Sequence, residues 1–255
     1  MAINVNSVYS TVLSILNKEQ RGYLTPYEFN KAATQAQLDI FEKYFIDMDQ
    51  QLKLTQTDFD YSNPEVNIDD ELETFKCFGP CAHVANGVYG LPTIDNFTST
   101  TVVYNDAPAA GEFAFYRLGT VVFEGGSTYG NVKLQRLQRN AFYNIDKSDL
   151  TAPSFYFPVY LYESGRLRVK PITMGALFPN EIDAGFIRKP KNVTWGYTVN
   201  SVGAYIYDPS PSASVDFEIT SNKQTEVILE ILKYAGFIVR DPQVVQAAAQ
   251  ELAQK

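Results

Sequence analysis

The sequence predicts an α+β protein: a central, β-rich antiparallel body, sandwich- or barrel-like, with helical hairpins at its N- and C-terminal ends. Three observations predict it. Apolar residues recur at helical spacing over roughly the first 50 residues. From 73 to 219, Gly and Pro punctuate short runs rich in Val, Tyr, Phe, Ile and Thr. After 220 the helical spacing returns.

In "VNSVYSTVLSILNKEQ", Val8, Val12, Ile15 and Leu16 form one helical stripe. A second helix follows in "PYEFNKAATQAQLDIFEKYFIDMDQQL", where Phe29, Ala33, Ala36, Ile40, Tyr44 and Met48 share a face. Its only Pro stands at the first position and it contains no Gly, so a long helix is allowed. Residues 1–50 therefore read as a helical segment, and the polar stretch 51–72 as a loop. The body, 73–219, offers "STTVVYN", "EFAFYRL", "TVVFEG", "SFYFPVYLYES", "RLRVKPI", "AGFIRKP", "VTWGYTV", "GAYIYDP" and "SVDFEIT" as strands. "LYESGRLRV" reads as a hairpin turning at Ser164-Gly165. "VKLQRLQRNAFYNIDKSDL" fits either a short helix or a strand. The last segment, 220–255, opens with a Ser221-x-x-Gln224 capping box and carries Val227, Ile228, Ile231, Leu232 and Ala235 to a stop at Gly236. Asp241 and Pro242 then start a final helix with a thin apolar face of Val244, Val245, Ala248 and Leu252.

The junction between the first two helices, "NKEQRGYLTPYEF", matches the spacing of a calcium-binding loop, with Gly22 and Glu28 in place. The ligands fail, because Arg21 stands where an oxygen donor is needed and a guanidinium repels a cation. Thr25-Pro26-Tyr27-Glu28 instead reads as a capping box with Pro at the first helical position, and Gly22 as the stop of the preceding helix.

Net charge is −8, which argues against a surface that coats DNA or anionic lipid. Two local basic groups, Lys133/Arg136/Arg139 and Arg166/Arg168/Lys170, read as solvated faces. No apolar run reaches the length of a membrane span, and the N-terminus lacks the basic start and apolar stretch of a signal peptide. Cys77 and Cys81 stand near His83, the only histidine, without zinc-ligand spacing, and read as ordinary thiols. No nucleophile-elbow motif, phosphate loop or selected carboxylate pair occurs, so no catalytic residue, metal or cofactor is expected.

Several phrases resemble virion structural proteins of tailed bacteriophages, especially crAss-like and related short-tailed phages. They are "ILNKEQRGYLTPYEFNKAATQAQLDIFEKYF", "SDLTAPSFYFPVYLYESGRLRVKPI", "FIRKPKNVTWGY" and "TEVILEILKYAGFIVRDPQVVQAAAQ". The resemblance implies a head-to-tail connector: an adaptor or ring protein beneath the portal, joining portal to tail. It implies a homo-oligomeric ring, expected to be dodecameric, with portal and other neck and tail proteins as partners. DNA would pass through the channel without specific binding. The expected location is the neck or tail of the virion, after synthesis in the host bacterial cytoplasm. The expected contacts are Arg21 and Tyr23 in the interhelix loop and the terminal helices, with Val244, Val245 and Leu252. A different class also fits the many tyrosines, a carbohydrate- or ligand-binding β-sandwich module.

Overall fold

The computed structural model describes residues 2–18, 24–51, 53, 64–104, 108–109, 111–210, 212–239 and 242–253. In chain order the elements begin with β1 (Ala2–Ile3), α1 (Val5–Lys18), α2 (Pro26–Gln51) and α3 (Pro64–Leu72). Next come β2 (Lys76–Pro80), β3 (His83–Ala85), β4 (Val88–Gly90), β5 (Val102–Val103), β6 (Phe113–Glu124), α4 (Gly126–Tyr129), β7 (Asn131–Lys133) and β8 (Gln135–Arg136). They continue with α5 (Arg139–Asn144), β9 (Val159–Glu163), β10 (Arg166–Lys170), α6 (Thr173–Leu177) and β11 (Ile182–Arg188). Last are β12 (Tyr197–Val199), β13 (Tyr205–Tyr207), β14 (Phe217–Thr220), α7 (Gln224–Val239) and α8 (Pro242–Ala253). The fold is α+β, with helices at both ends and a β-rich centre.

Two compact units form: Met1–Thr74 with Pro190–Lys255, and Phe75–Lys189. In the first, the two ends of the chain fold together. Helix α7 packs against α8, α2 and α1, and β1 pairs antiparallel with β14. The stripes explain this packing. Val8, Val12 and Leu16 of α1 are buried, as are Phe29, Ala33, Ala36, Ile40 and Tyr44 of α2 and Val227, Ile231, Leu232 and Ala235 of α7. Ile15 departs from its expected place and is exposed, one position off the buried stripe.

The helix start at Thr25 forms as expected. Thr25 N–H donates to Glu28 Oε2 at 2.9 Å, and Glu28 N–H donates to Thr25 Oγ1 at 3.3 Å. The Thr25 hydroxyl, which donates to Glu28 Oε2 at 2.6 Å, and after it the Thr25 N–H hold the Glu28 carboxyl below its ordinary value. Helix α7 starts differently: it enters through a 3-10 turn, Ser221–Lys223, with no side-chain cap bond at Thr220. It also runs through Gly236 to Val239, because Gly236 is buried and packing outweighs the local stop signal. Residues 64–72, expected as loop, form α3, with Pro64 at the first helical position. Gly22 and Asp241 lie outside the described residues.

In the second unit, one sheet has the order β3-β4-β10-β9-β8 and another the order β2-β11-β6-β5, with β7 also on β6. Most pairs are antiparallel, while β5–β6 and β8–β9 are parallel. Alternation sorts the faces. Tyr160, Leu167 and Val169 from the first sheet and Val121, Phe123, Ile182 and Ala184 from the second share one core. Ser164 and Gly165 both adopt positive φ, the type I′ geometry expected of that hairpin. "EFAFYRL" and "TVVFEG" merge into the single long strand β6. The undecided stretch after Gly130 holds both kinds of element, β7 and β8 followed by α5.

Candidate functional site

Cys81 and His83 are the thiol and imidazole that stand closest in sequence. Cys81 is fully buried, and burial, with Asp183 acting the same way, pushes its thiol up to about 12. His83 Nε2 is buried without a hydrogen-bond partner and abuts Gly175, where a β-carbon would stand 2.3 Å from it. The Nε2 edge of the imidazole thus packs against the backbone at Gly175, and burial keeps the Cys81 thiol protonated. Among the described residues, no group of three or more His, Cys, Asp or Glu is placed to hold a metal ion.

The basic groups also resolve into packing. Arg166, Arg168 and Lys170 alternate onto one face of β10. Contrary to the expectation of a solvated row, Lys170 is buried. Helix α5 covers that end of the face, and Lys170 Nζ donates to Phe142 O at 2.8 Å and pairs with Asp146. Arg168 donates to the Tyr143 hydroxyl at 2.9 Å. Among the first group, Arg139 lies 3.7 Å from Glu163 and Arg136 sits over the Tyr162 ring.

Of the expected contact residues, Arg21 and Tyr23 lie outside the described residues, as do the side chains of Val244 and Val245. Leu252 is described, and it lines a cleft of about 640 Å³ in the first unit. Lys43 and Asp47 of α2, Ile68 of α3, Asn222, Lys223 and Glu226 at the start of α7 complete the wall. Its buried charge is Glu226, which accepts from Lys43 Nζ at 2.7 Å and has Lys223 Nζ at 3.5 Å. Burial pushes the Glu226 carboxyl up, but Lys43 and Lys223 together outweigh it and hold it below its ordinary value. The Glu226 bond in turn raises Lys43. Both lysines are thus engaged by one carboxylate, and with Asp47 the charges that line the cleft balance.

The second surface is the β12–β13 hairpin, built outward from Trp195. Asn30 of α2 clamps the Trp195 backbone: its Oδ1 accepts from Trp195 N–H at 2.7 Å and its Nδ2 donates to Trp195 O at 3.3 Å. One and two turns further along α2, Thr34 Oγ1 donates to Val193 O and Gln37 Nε2 donates to Lys191 O at 2.8 Å. Gln37 Oε1 also accepts from Glu218 N–H at 2.9 Å. The Trp195 indole donates to Asn6 Oδ1 at 3.1 Å and packs on Tyr9. From this base Tyr197 and Tyr207 stack on the indole at 5.9 and 5.7 Å.

Beyond the base the hairpin stands in solvent. Tyr197, Val199, Tyr205 and Tyr207 share one face, and Thr198 and Ile206 the other. Val199 is 58% exposed, Ile206 52% and Val202, at the tip, 87%. The tip is well formed: Asn200 Oδ1 accepts from Val202 and Ala204 N–H, and Gly203 supplies the positive φ that closes it. Residues 192–207 contain no charged side chain, in a chain of net charge −8. Alternation in the sequence marks both strands but not their exposure. The missing signal is that uncharged run, which a buried strand and a docking strand share.

Compared with known protein families and with curated proteins, the chain matches none. Among the described residues no helix is long and apolar enough to cross a membrane.

Proposed function

We propose that this chain is a structural subunit of a homo-oligomeric ring in the neck of a tailed bacteriophage, joining portal to tail around the DNA channel. The observation that carries the reading is the anchored, uncharged hairpin with its apolar side chains in water. Exposed apolar surface on a rigid mount is what a protein-contact element needs. The phrases resembling phage virion proteins supply the setting, and a net acidic chain suits a channel that must not retain phosphates. Helix α8, seated on α7 beside the Leu252 cleft, is the second proposed contact element.

A carbohydrate-binding module draws on the same tyrosines. Such a module needs ring faces open to a sugar. Here Tyr197 and Tyr207 turn a face to Trp195, and Tyr205 meets Tyr197 edge-on at 86°. That arrangement is a packed ladder rather than an open platform, so it favours protein contact.

The test is electron microscopy and mass measurement of the purified protein, alone and with the portal protein. Rings containing several copies are expected. A monomer under both conditions, with measurable affinity for a glycan, would replace this reading with the second. Deleting residues 241–255 is expected to impair assembly while Phe75–Lys189 still unfolds cooperatively. A truncated chain that enters complete particles at normal yield would remove α8 from the account.

A further inference from the structure

We propose that the β12–β13 hairpin is the surface through which copies of this chain meet, β13 of one copy pairing with β12 of the next. This rests on the ring reading and assigns its contact.

The ladder fixes which backbone groups of the hairpin are open. Asn200 N–H bonds to Ala204 O, and Asp208 N–H bonds to Gly196 O. Antiparallel pairs alternate between hydrogen-bonded and open. Thr198 and Ile206 therefore bond to each other, and the amides and carbonyls of Tyr197, Val199, Tyr205 and Tyr207 point outward, two residues to each edge. Among the described residues the hairpin is a two-stranded sheet with no third strand. A lone two-stranded ribbon is marginal in water, and an open edge is a template for another strand. Three defences common on such edges are missing: residues 192–207 hold no Lys, no other charge and no Pro.

The occupant follows from charge. Two copies that each carry −8 repel over most approaches. The uncharged run is where that repulsion is least, and an identical chain brings the same uncharged run to meet it. The edges are also matched, since each offers two outward donors and two outward acceptors spaced as on the other. Pairing an edge with its own copy about a two-fold axis would close at a dimer. Pairing β13 with β12 uses both edges of every copy and continues until a ring closes. One hairpin is smaller than the 20–30 residues a side of about standard interfaces. Engagement at both edges, with Val202 and Ile206 packing beside them, compensates for that size.

The test uses the full chain, by sedimentation and native mass spectrometry over a concentration series. Val199→Pro removes an outward N–H without touching the internal ladder, and Val199→Lys places a charge on the edge with the backbone intact. Each is expected to weaken self-association by at least about tenfold, the effect of a single lost contact of ordinary size. Monomer circular dichroism should be preserved, and Val199→Lys carries the test if the Pro variant misfolds. Cross-linking fixes the direction: Cys77 and Cys81 are buried. Val199→Cys and Tyr205→Cys chains should form a disulfide dimer when mixed and none when separate; the two changes are kept on separate chains because Val199 and Tyr205 face each other across one hairpin and would close a disulfide within it. Rings that assemble equally well with Val199→Lys would overturn the hairpin contact and leave the ring reading standing. Disulfide dimers from either single variant alone would overturn the β13-to-β12 pairing. A wild-type chain that stays monomeric throughout, with or without portal protein, would overturn both.

Discussion

Replacing Lys43 with Met removes the closest partner of Glu226, a carboxylate only 4% exposed. The wild-type pair is 2.7 Å long, and Lys223 stands 3.5 Å away as a weaker second partner. Stranding one member of a fully buried pair costs about 3–5 kcal/mol. The Lys43 side chain is 45% exposed and Lys223 remains, so solvent screening reduces this to about 1–2.5 kcal/mol. For a chain of this size that is a drop of about 3–8 °C in the melting temperature of the helical unit. The pH dependence has a definite sign. Glu226 is lowered in the fold, so its contribution is present above its unfolded value of 4.5 and is lost as pH falls through the folded value. Lys43 is raised, so its contribution is full below 10.5 and is lost as pH rises through its folded value. The difference between wild type and Lys43→Met should therefore be largest at neutral pH and shrink in acid. Thermal unfolding followed by far-ultraviolet circular dichroism reads it, and Lys43→Met/Glu226→Gln should recover part of the loss. A melting difference that is absent at neutral pH, or unchanged in acid, would refute the assignment of Glu226 as a buried, ionised anchor.

Two further outcomes follow from the same packing. Asn30→Leu leaves the Trp195 N–H and C=O without their clamp, at a cost of about 2 kcal/mol for two partly buried groups. Since Trp195 is the only tryptophan, its emission should shift to longer wavelength while helicity is kept; an unmoved spectrum would show that the clamp does not hold the hairpin base. Both cysteines should resist thiol reagents in the native chain and react only on unfolding, because Cys81 is fully buried with its thiol raised to about 12 and Cys77 is 5% exposed; rapid labelling of either in the native protein would contradict that burial.

Local chemistry made much of this fold legible. The Thr25–Glu28 box, Pro242 at a helix start and the Ser164-Gly165 turn are short-range devices, and each forms where the residues place it. What escaped depends on distant partners. Gly236 reads as a stop only until the buried packing of α7 is known. Asp69 and Asp70 lower the helical signal of 64–72, yet Pro64 starts a helix there. Asn30, Thr34 and Gln37 look like a wet stripe of α2, but their acceptors are backbone atoms more than 150 residues away. The hairpin teaches the same lesson in reverse. "GYTV" and "AYIY" have the alternation of strands, and only the structure shows both faces meeting solvent. Helical spacing places Leu252 on the apolar face of α8, whereas the lysines and carboxylate of the cleft it lines come from two separated segments, α2 and the start of α7.

The proposal that this protein works by contact with other copies and neighbours is tested most directly by the native mass of the purified chain across a concentration series, with and without portal protein. It predicts a discrete multimer of several subunits that Val199→Lys dissociates. A single subunit mass at every concentration, unchanged by the portal protein, would contradict it.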